Sequence, residues 1–271
     1  MLLNFIKGRD FRNFNEFQVD FHSSGNLVLG RNAQGKSNLL EAIYFLTTGQ
    51  SFRTSRLADL IKQEKENFFL ESSFTKSSLP QSLKVFYQSD KKAVFCNETK
   101  SPYLTSLLGG IQGVLMSPED EQLIKGSPQG RRKFLDIMLS QIDPLYVRYL
   151  FRYYRSMKQR NVLLKERNFS LIAPFENQMA QSGAYIISKR ELLVSYLQPY
   201  CQQYHTKLSG SEEIFTLTYK PCLNMEDKDL QSKQQQLLEV FSKDREREAL
   251  FGSTLKGPHK DELAFVIDEQ E

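Results

Sequence analysis

A chain of 271 residues with 40% hydrophobic and 25% charged residues can bury a sizeable core and lacks the bias of a disordered or fibrous sequence. Its net charge of +4 is mild, so any nucleic-acid surface must come from local clustering of cations. Three scattered cysteines exclude a disulfide framework, and no run is apolar enough for a signal peptide or membrane span, so a soluble, cytoplasmic protein is expected.

Residues 1–21 read as two strands around a turn, with Phe17, Val19 and Phe21 alternating with Gln18 and Asp20. Between them, Phe11-Arg12-Asn13-Phe14 reads from composition as a solvated turn flanked by aromatics. Residues 26–29 form a short apolar run that predicts a buried strand. The run leads directly into Gly30-Arg31-Asn32-Ala33-Gln34-Gly35-Lys36-Ser37, a full G-x-x-x-x-G-K-S loop. Residues 38–46 then predict an amphipathic helix, apolar at Leu39, Leu40, Ile43 and Leu46.

Strand, loop and helix in that order make a phosphate site for a physical reason. The glycines let successive N–H groups point into one concavity at the positive end of the helix. Lys36 can reach the outer phosphates, and the Ser37 hydroxyl is placed to ligate Mg²⁺. The expectation is a protein that binds a nucleoside triphosphate, or descends from one that did.

After the helix, Ser51-Phe52-Arg53-Thr54-Ser55-Arg56 places two arginines in a polar loop, which composition alone reads as solvated. Residues 69–98 predict antiparallel strands: one beginning at Phe69, Glu71 and Ser73, a second at 83–87 and a third at 93–96, with 89–92 as a polar connection. Residues 111–116 predict a last strand. It ends at Ser117-Pro118-Glu119-Asp120, with Ser117 as N-cap and Pro118 opening a helix.

From there to about 252 the sequence predicts helix. Tyr146, Leu150, Tyr153, Met157 and Leu164 mark one apolar face, and Arg148, Arg152 and Arg155 lie on the opposite one. Lys158, Arg160, Lys165 and Arg167 continue the basic bias with Glu166 as the only acid in that span, which suggests a nucleic-acid surface. Pro174 opens a second long helix to about Leu208. Residues 229–250 form a third, whose Asp244-Arg245-Glu246-Arg247-Glu248 suits an exposed face. Leu255 to Ile267 returns to strand. Its end, Leu263-Ala264-Phe265-Val266-Ile267-Asp268-Glu269, has the apolar-run-then-Asp-Glu form of a Walker B strand but is read as an ordinary core strand.

The ordered segments resemble the RecF family, bacterial recombination-mediator ATPases of the SMC-like branch of the ABC ATPases. The resemblance is carried by Phe11-Arg12-Asn13-Phe14, the loop from Gly30 to Asn38, Ser51-Phe52-Arg53-Thr54 and Ser117-Pro118-Glu119-Asp120. Lys125-Gly126-Ser127-Pro128, Arg131-Arg132-Lys133-Phe134-Leu135-Asp136, Lys158 to Lys165 and Gly257-Pro258-His259-Lys260-Asp261 follow in order. It implies an α/β fold: an ABC-type, P-loop ATPase head of 1–116 plus 254–271, with an inserted helical arm-like lobe of 117–253. It also implies ATP and Mg²⁺ as cofactors, slow ATP hydrolysis, ATP-dependent homodimerisation, binding of double-stranded and gapped DNA, and work with RecR and RecO in loading recombinase at single-strand gaps.

By position, Gly30, Arg31, Asn32, Ala33, Gln34, Gly35, Lys36, Ser37 and Asn38 carry over as the nucleotide site, with Ser37 as metal ligand. Arg12 and Asn13 carry over as nucleotide contacts from the neighbouring turn. Ser117 to Asp120 stands where ABC heads place a Gln-loop, yet holds no Gln, so no metal-water role is assigned there. Lys260 stands where the family more often has Arg, which keeps the charge and loses the planar fork. The family's signature motif and true Walker B strand do not appear in the sequence. The chain therefore reads as a RecF shortened to about three-quarters, and an alternative is a nucleotide- and DNA-binding module without hydrolysis, prone to self-association.

Overall fold

A computed structural model describes residues 1–89, 91–223 and 229–268. The chain divides into two compact units, Met1–Met116 and Ser117–Glu271.

The first unit is a six-stranded antiparallel sheet covered by one helix. Strands β1 (Leu2–Phe11) and β2 (Phe14–Asp20) form the expected hairpin. They are followed by β3 (Asn67–Lys76), β4 (Leu79–Gln88), β5 (Lys91–Cys96) and β6 (Thr99–Ser101), in the spatial order β2-β1-β3-β4-β5-β6. Along β3 buried and half-buried residues alternate, so Phe68, Leu70 and Phe74 all face the core. Helix α1 (Lys36–Thr48) lays Leu39, Ala42, Phe45 and Leu46 on that face, and Phe68 meets Phe11 and Phe45 edge-on at 5.6 and 5.8 Å. The buried side of α1 is thus centred one step away from the predicted stripe: Leu40 is exposed, and Ile43 only half-buried.

Two predicted strands are absent among the described residues. Residues 26–29 and 111–116 form no strand, and Leu27, Leu29, Val114 and Met116 are each at least 80% exposed. An apolar run becomes a strand only in a ladder, and neither segment has a place in the described sheets. The polar connection expected at 89–92 is shorter, because Lys91 and Lys92 already pair with Gln88 and Tyr87.

The second unit is mainly helical. Ser117 caps its start as expected, its N–H donating to Asp120 Oδ2 at 2.7 Å, although Pro118 opens only a 3-10 turn (Pro118–Asp120); α2 (Glu121–Lys125), α3 (Pro128–Ile142), α4 (Pro144–Lys165) and α5 (Ala173–Ser209) follow. A strand not expected from the sequence, β7 (Phe215–Lys220), comes next, then α6 (Leu230–Lys243), α7 (Arg245–Phe251) and β8 (Glu262–Ile267). Helix α5 packs on both α4 and α6. Gly183 permits the approach: a Cβ there would lie 3.0 Å from Leu237 and 3.5 Å from Tyr153.

β8 pairs antiparallel with β7, Leu263 opposite Tyr219 and Phe265 opposite Leu217. The expected division joined 254–271 to residues 1–116. Here the described part of that stretch lies in the helical unit, because one face of β8 (Leu263, with Phe265 packed beside it) completes a core with Leu217 and Leu237. Glu269, the second acid of the Walker B-like run, lies outside the described residues.

Candidate functional site

The loop of 30–37 is built as its sequence requires. Ala33 and Gly35 take φ of 65° and 102°, and Gly35 turns the chain into the first residue of α1. A Cβ at Gly35 would come within 2.5 Å of the Phe14 ring and 2.9 Å of Asn13 Oδ1, so glycine is demanded twice, by conformation and by space. The Lys36 ammonium donates to the carbonyls of Gly30 (2.6 Å) and Arg31 (2.8 Å), which holds it inside the loop. Ser37 is exposed at the N-terminus of the helix.

Two other segments of the same unit are fastened to this loop. One is the β1–β2 turn, where Arg12 has φ of 54° and Asn13 leans on the loop: Asn13 Nδ2 donates to Ala33 O (3.4 Å), and Asn38 Nδ2 donates to Asn13 Oδ1 (2.7 Å). The other is the turn at 51–54, whose Arg53 donates from Nη1 to Asn38 Oδ1 (2.8 Å). The predicted nucleotide contacts at Arg12, Asn13 and 30–38 are therefore neighbours in space as well as in motif.

Beneath them lies a residue that no motif singles out. Glu41 is fully buried, and Arg12 donates Nε and Nη2 to its two oxygens at 2.8 and 2.6 Å. The Ser51 hydroxyl donates to the same carboxylate at 2.5 Å, and Arg53 stands 3.6 Å from it. Arg12 Nη1 donates to Asp59 O, at 2.7 Å. A guanidinium held by three of its nitrogens is fixed in place. A signal for Glu41 does exist in the sequence: it stands four and seven residues before Phe45 and Thr48, on the buried side of the helix.

For Mg²⁺, the exposed Ser37 hydroxyl is the ligand the loop offers, and an oxygen donor suits a hard cation. Glu41 is saturated by Arg12 and Ser51 and cannot serve. Among the described residues no three His, Cys, Asp or Glu side chains group to hold a metal.

The predicted DNA contacts divide. Arg148 and Arg155 are exposed on α4, beside Phe151, which is 61% exposed. Arg152 instead turns onto α5, where it donates to Ser182 Oγ (3.1 Å) and to Gln181, and stacks over Tyr149. Arg160, expected in the basic surface, is wholly buried. It donates to Glu176 (3.1 Å), Glu248 (2.5 Å), Thr254 (2.9 Å) and Phe241 O (2.7 Å), joining α4, α5, α6 and α7. The charges of 244–248 are for this reason not a plain solvated face: Glu248 is buried on Arg160, and Arg245 pairs with Glu176.

In the 257–261 segment, Tyr153 Oη meets His259 Nδ1 at 2.7 Å and His259 Nε2 meets Thr254 O at 3.1 Å. Burial, reinforced by Lys260, Arg132 and Arg190, lowers the imidazole to about 4. Neutral His259 then donates from Nε2 and accepts at Nδ1. Arg132 donates to Asp261 O (2.7 Å), while Lys260 remains exposed.

Three comparisons bear on this arrangement. Residues 2–101 match the RecF/RecN/SMC N terminal domain model. The chain is 44% identical over 268 residues to a DNA replication and repair protein RecF of Protochlamydia amoebophila, covering 98% of this chain and 74% of the relative. It is 34% identical to the protein of that name from Halalkalibacterium halodurans, covering 97% and 72%. A solved structure of the recombination mediator protein RecF with ATP, in the RecFOR pathway, superposes with a TM-score of 0.93 at 29% identity, covering all of this chain and 74% of the other.

Proposed function

The chain belongs to the RecF family of DNA replication and repair proteins, and from that membership we propose that it binds ATP with Mg²⁺ at residues 30–37 and acts on DNA in its bound state. The observation that carries the proposal is the loop itself: a left-handed Gly35 feeding α1, Lys36 folded over the loop carbonyls and Ser37 exposed at the helix N-terminus. The ATP-bound RecF structure that matches over the whole chain supports the same ligand.

In this reading the loop N–H groups and the positive end of α1 receive the phosphates. Lys36 moves from the Gly30 and Arg31 carbonyls to the outer phosphates, and Ser37 holds Mg²⁺, which screens phosphate charge. Asn13 and Arg53 present polar atoms from the flanking turns, and Arg12 acts through Glu41. Among the described residues no helix is long and apolar enough to cross a membrane.

The wider role follows as a proposal from the family. ATP brings two copies together, the dimer engages double-stranded DNA beside single-strand gaps, and RecR and RecO take part in loading recombinase there. Arg148 and Arg155 of α4 are the cations offered to the DNA backbone. Light scattering with Mg-ATP or Mg-ADP, with and without a gapped duplex, tests it. The proposal expects a doubled mass with ATP and tighter DNA binding in that state; a mass and DNA affinity indifferent to nucleotide would refute it.

A further inference from the structure

Glu41 is a carboxylate with no solvent exposure in the middle of the phosphate-loop helix, where an apolar residue would cover the sheet equally well. Burial of a charge demands partners, and its partners come from two other parts of the chain. Arg12 takes both oxygens, Ser51 donates its hydroxyl, and Arg53 lies 3.6 Å away. Ser51 Oγ in turn accepts from the backbone N–H groups of Arg53 and Thr54 at 2.9 and 3.1 Å, so the carboxylate also shapes the 51–54 turn.

The charges here are unequal in number. One carboxylate faces two guanidiniums, and Arg12 has the bidentate share. Arg53 is therefore left with an uncompensated positive charge, half exposed and bonded to Asn38, the residue after Ser37. From Asn38 the contacts run through Asn13 back to Ala33 in the loop.

We propose that Glu41 is a positioning residue of the nucleotide site, setting the 11–14 and 51–54 turns so that Asn13, Asn38 and Arg53 present fixed polar atoms to the outer phosphates. This rests on the nucleotide reading above. A carboxylate that served the fold alone would affect stability and leave ATP affinity unchanged in every variant that folds.

The experiment is a titration of Mg-ATP into the full chain and into Glu41→Gln and Glu41→Asp, each paired with a urea melt that gives the folded fraction. Glu41→Gln keeps the volume and loses the charge; Glu41→Asp keeps the charge and cannot span Arg12, Ser51 and Arg53 together. The expected result is at least roughly tenfold weaker ATP binding by folded Glu41→Gln and a smaller loss, about threefold, in Glu41→Asp. If Glu41→Gln does not fold, Glu41→Asp decides. A folded variant that binds as tightly as the unsubstituted protein overturns the inference alone. Failure of the unsubstituted protein to bind ATP removes the nucleotide reading and the inference with it.

Discussion

Gly35 lies so close under Phe14 that a methyl group at its Cα would come within 2.5 Å of the aromatic ring. The β1–β2 hairpin thus closes over the phosphate loop, and the loop's second glycine is a packing residue as well as a turn residue. Its φ of 102° is open to glycine and strained for any other residue.

Gly35→Ala follows directly. Strain and overlap together are expected to cost about 1–3 kcal/mol of stability and to displace Asn13 and Phe14 from the loop. A urea melt beside an ATP titration checks both. Wild-type stability with wild-type affinity would show that the hairpin yields freely.

The Arg160 cluster gives a second prediction. Arg160→Met leaves buried Glu248 without its guanidinium and Glu176 with Arg245 alone, and the expected loss is about 3–5 kcal/mol. Lys158 stands two residues earlier in the same basic run and is exposed, so Lys158→Met should be near neutral and serves as the control. Equal melts for the two variants would contradict the reading.

The pH dependence has a definite sign. His259 protonates near 4 when folded and near its ordinary 6.5 when unfolded, so the unfolded chain binds more protons in between. Stability should therefore fall as pH drops from 6.5 toward 4, by up to about 3 kcal/mol from this residue. Asp261, whose carboxyl burial raises, contributes with opposite sign nearer the acid end of that window. Urea melts at about pH 7, 6 and 5 should show a slope that His259→Gln flattens; an unchanged slope would assign the dependence elsewhere.

For DNA, Arg148 and Arg155 are exposed on α4, whereas Arg152 is engaged with α5. Replacing Arg148 and Arg155 together by Gln should weaken binding and reduce the slope of log K against log salt by about two. Arg152→Gln should act mainly on the melt. Unchanged DNA affinity in the double variant would remove α4 as the contact surface.

The local pattern of the sequence carried most of the first unit. The hairpin at 1–21, the loop, α1 and the strands of 69–98 all follow from alternation, glycine placement and turn chemistry, which depend on neighbours along the chain. The failures depend on neighbours across space. The runs at 26–29 and 111–116 have strand composition and no place in the described sheets. Phe215–Lys220 is a strand because Glu262–Ile267 lies beside it, a partner from beyond α6 and α7. In the site, the loop was plain from its motif, while Glu41 was not, since its meaning comes from Arg12 in the β1–β2 turn, and Ser51, visible only as the start of a family turn, gains its role from Glu41. Arg160 read as surface for the same reason: a basic run does not reveal which of its members meets two buried glutamates.

Everything proposed for the site depends on nucleotide binding at the loop, and calorimetric titration of Mg-ATP into the full chain and into Lys36→Ala examines that step alone. The Lys36 ammonium bonds to the loop carbonyls of Gly30 and Arg31 and is tied to no core element, so the substitution should leave the melt almost unchanged. Saturable binding is expected of the unsubstituted protein, with a loss of at least roughly tenfold in Lys36→Ala, as removal of a charge-assisted phosphate contact implies. Equal affinity in the two proteins, or no binding by either, would contradict it.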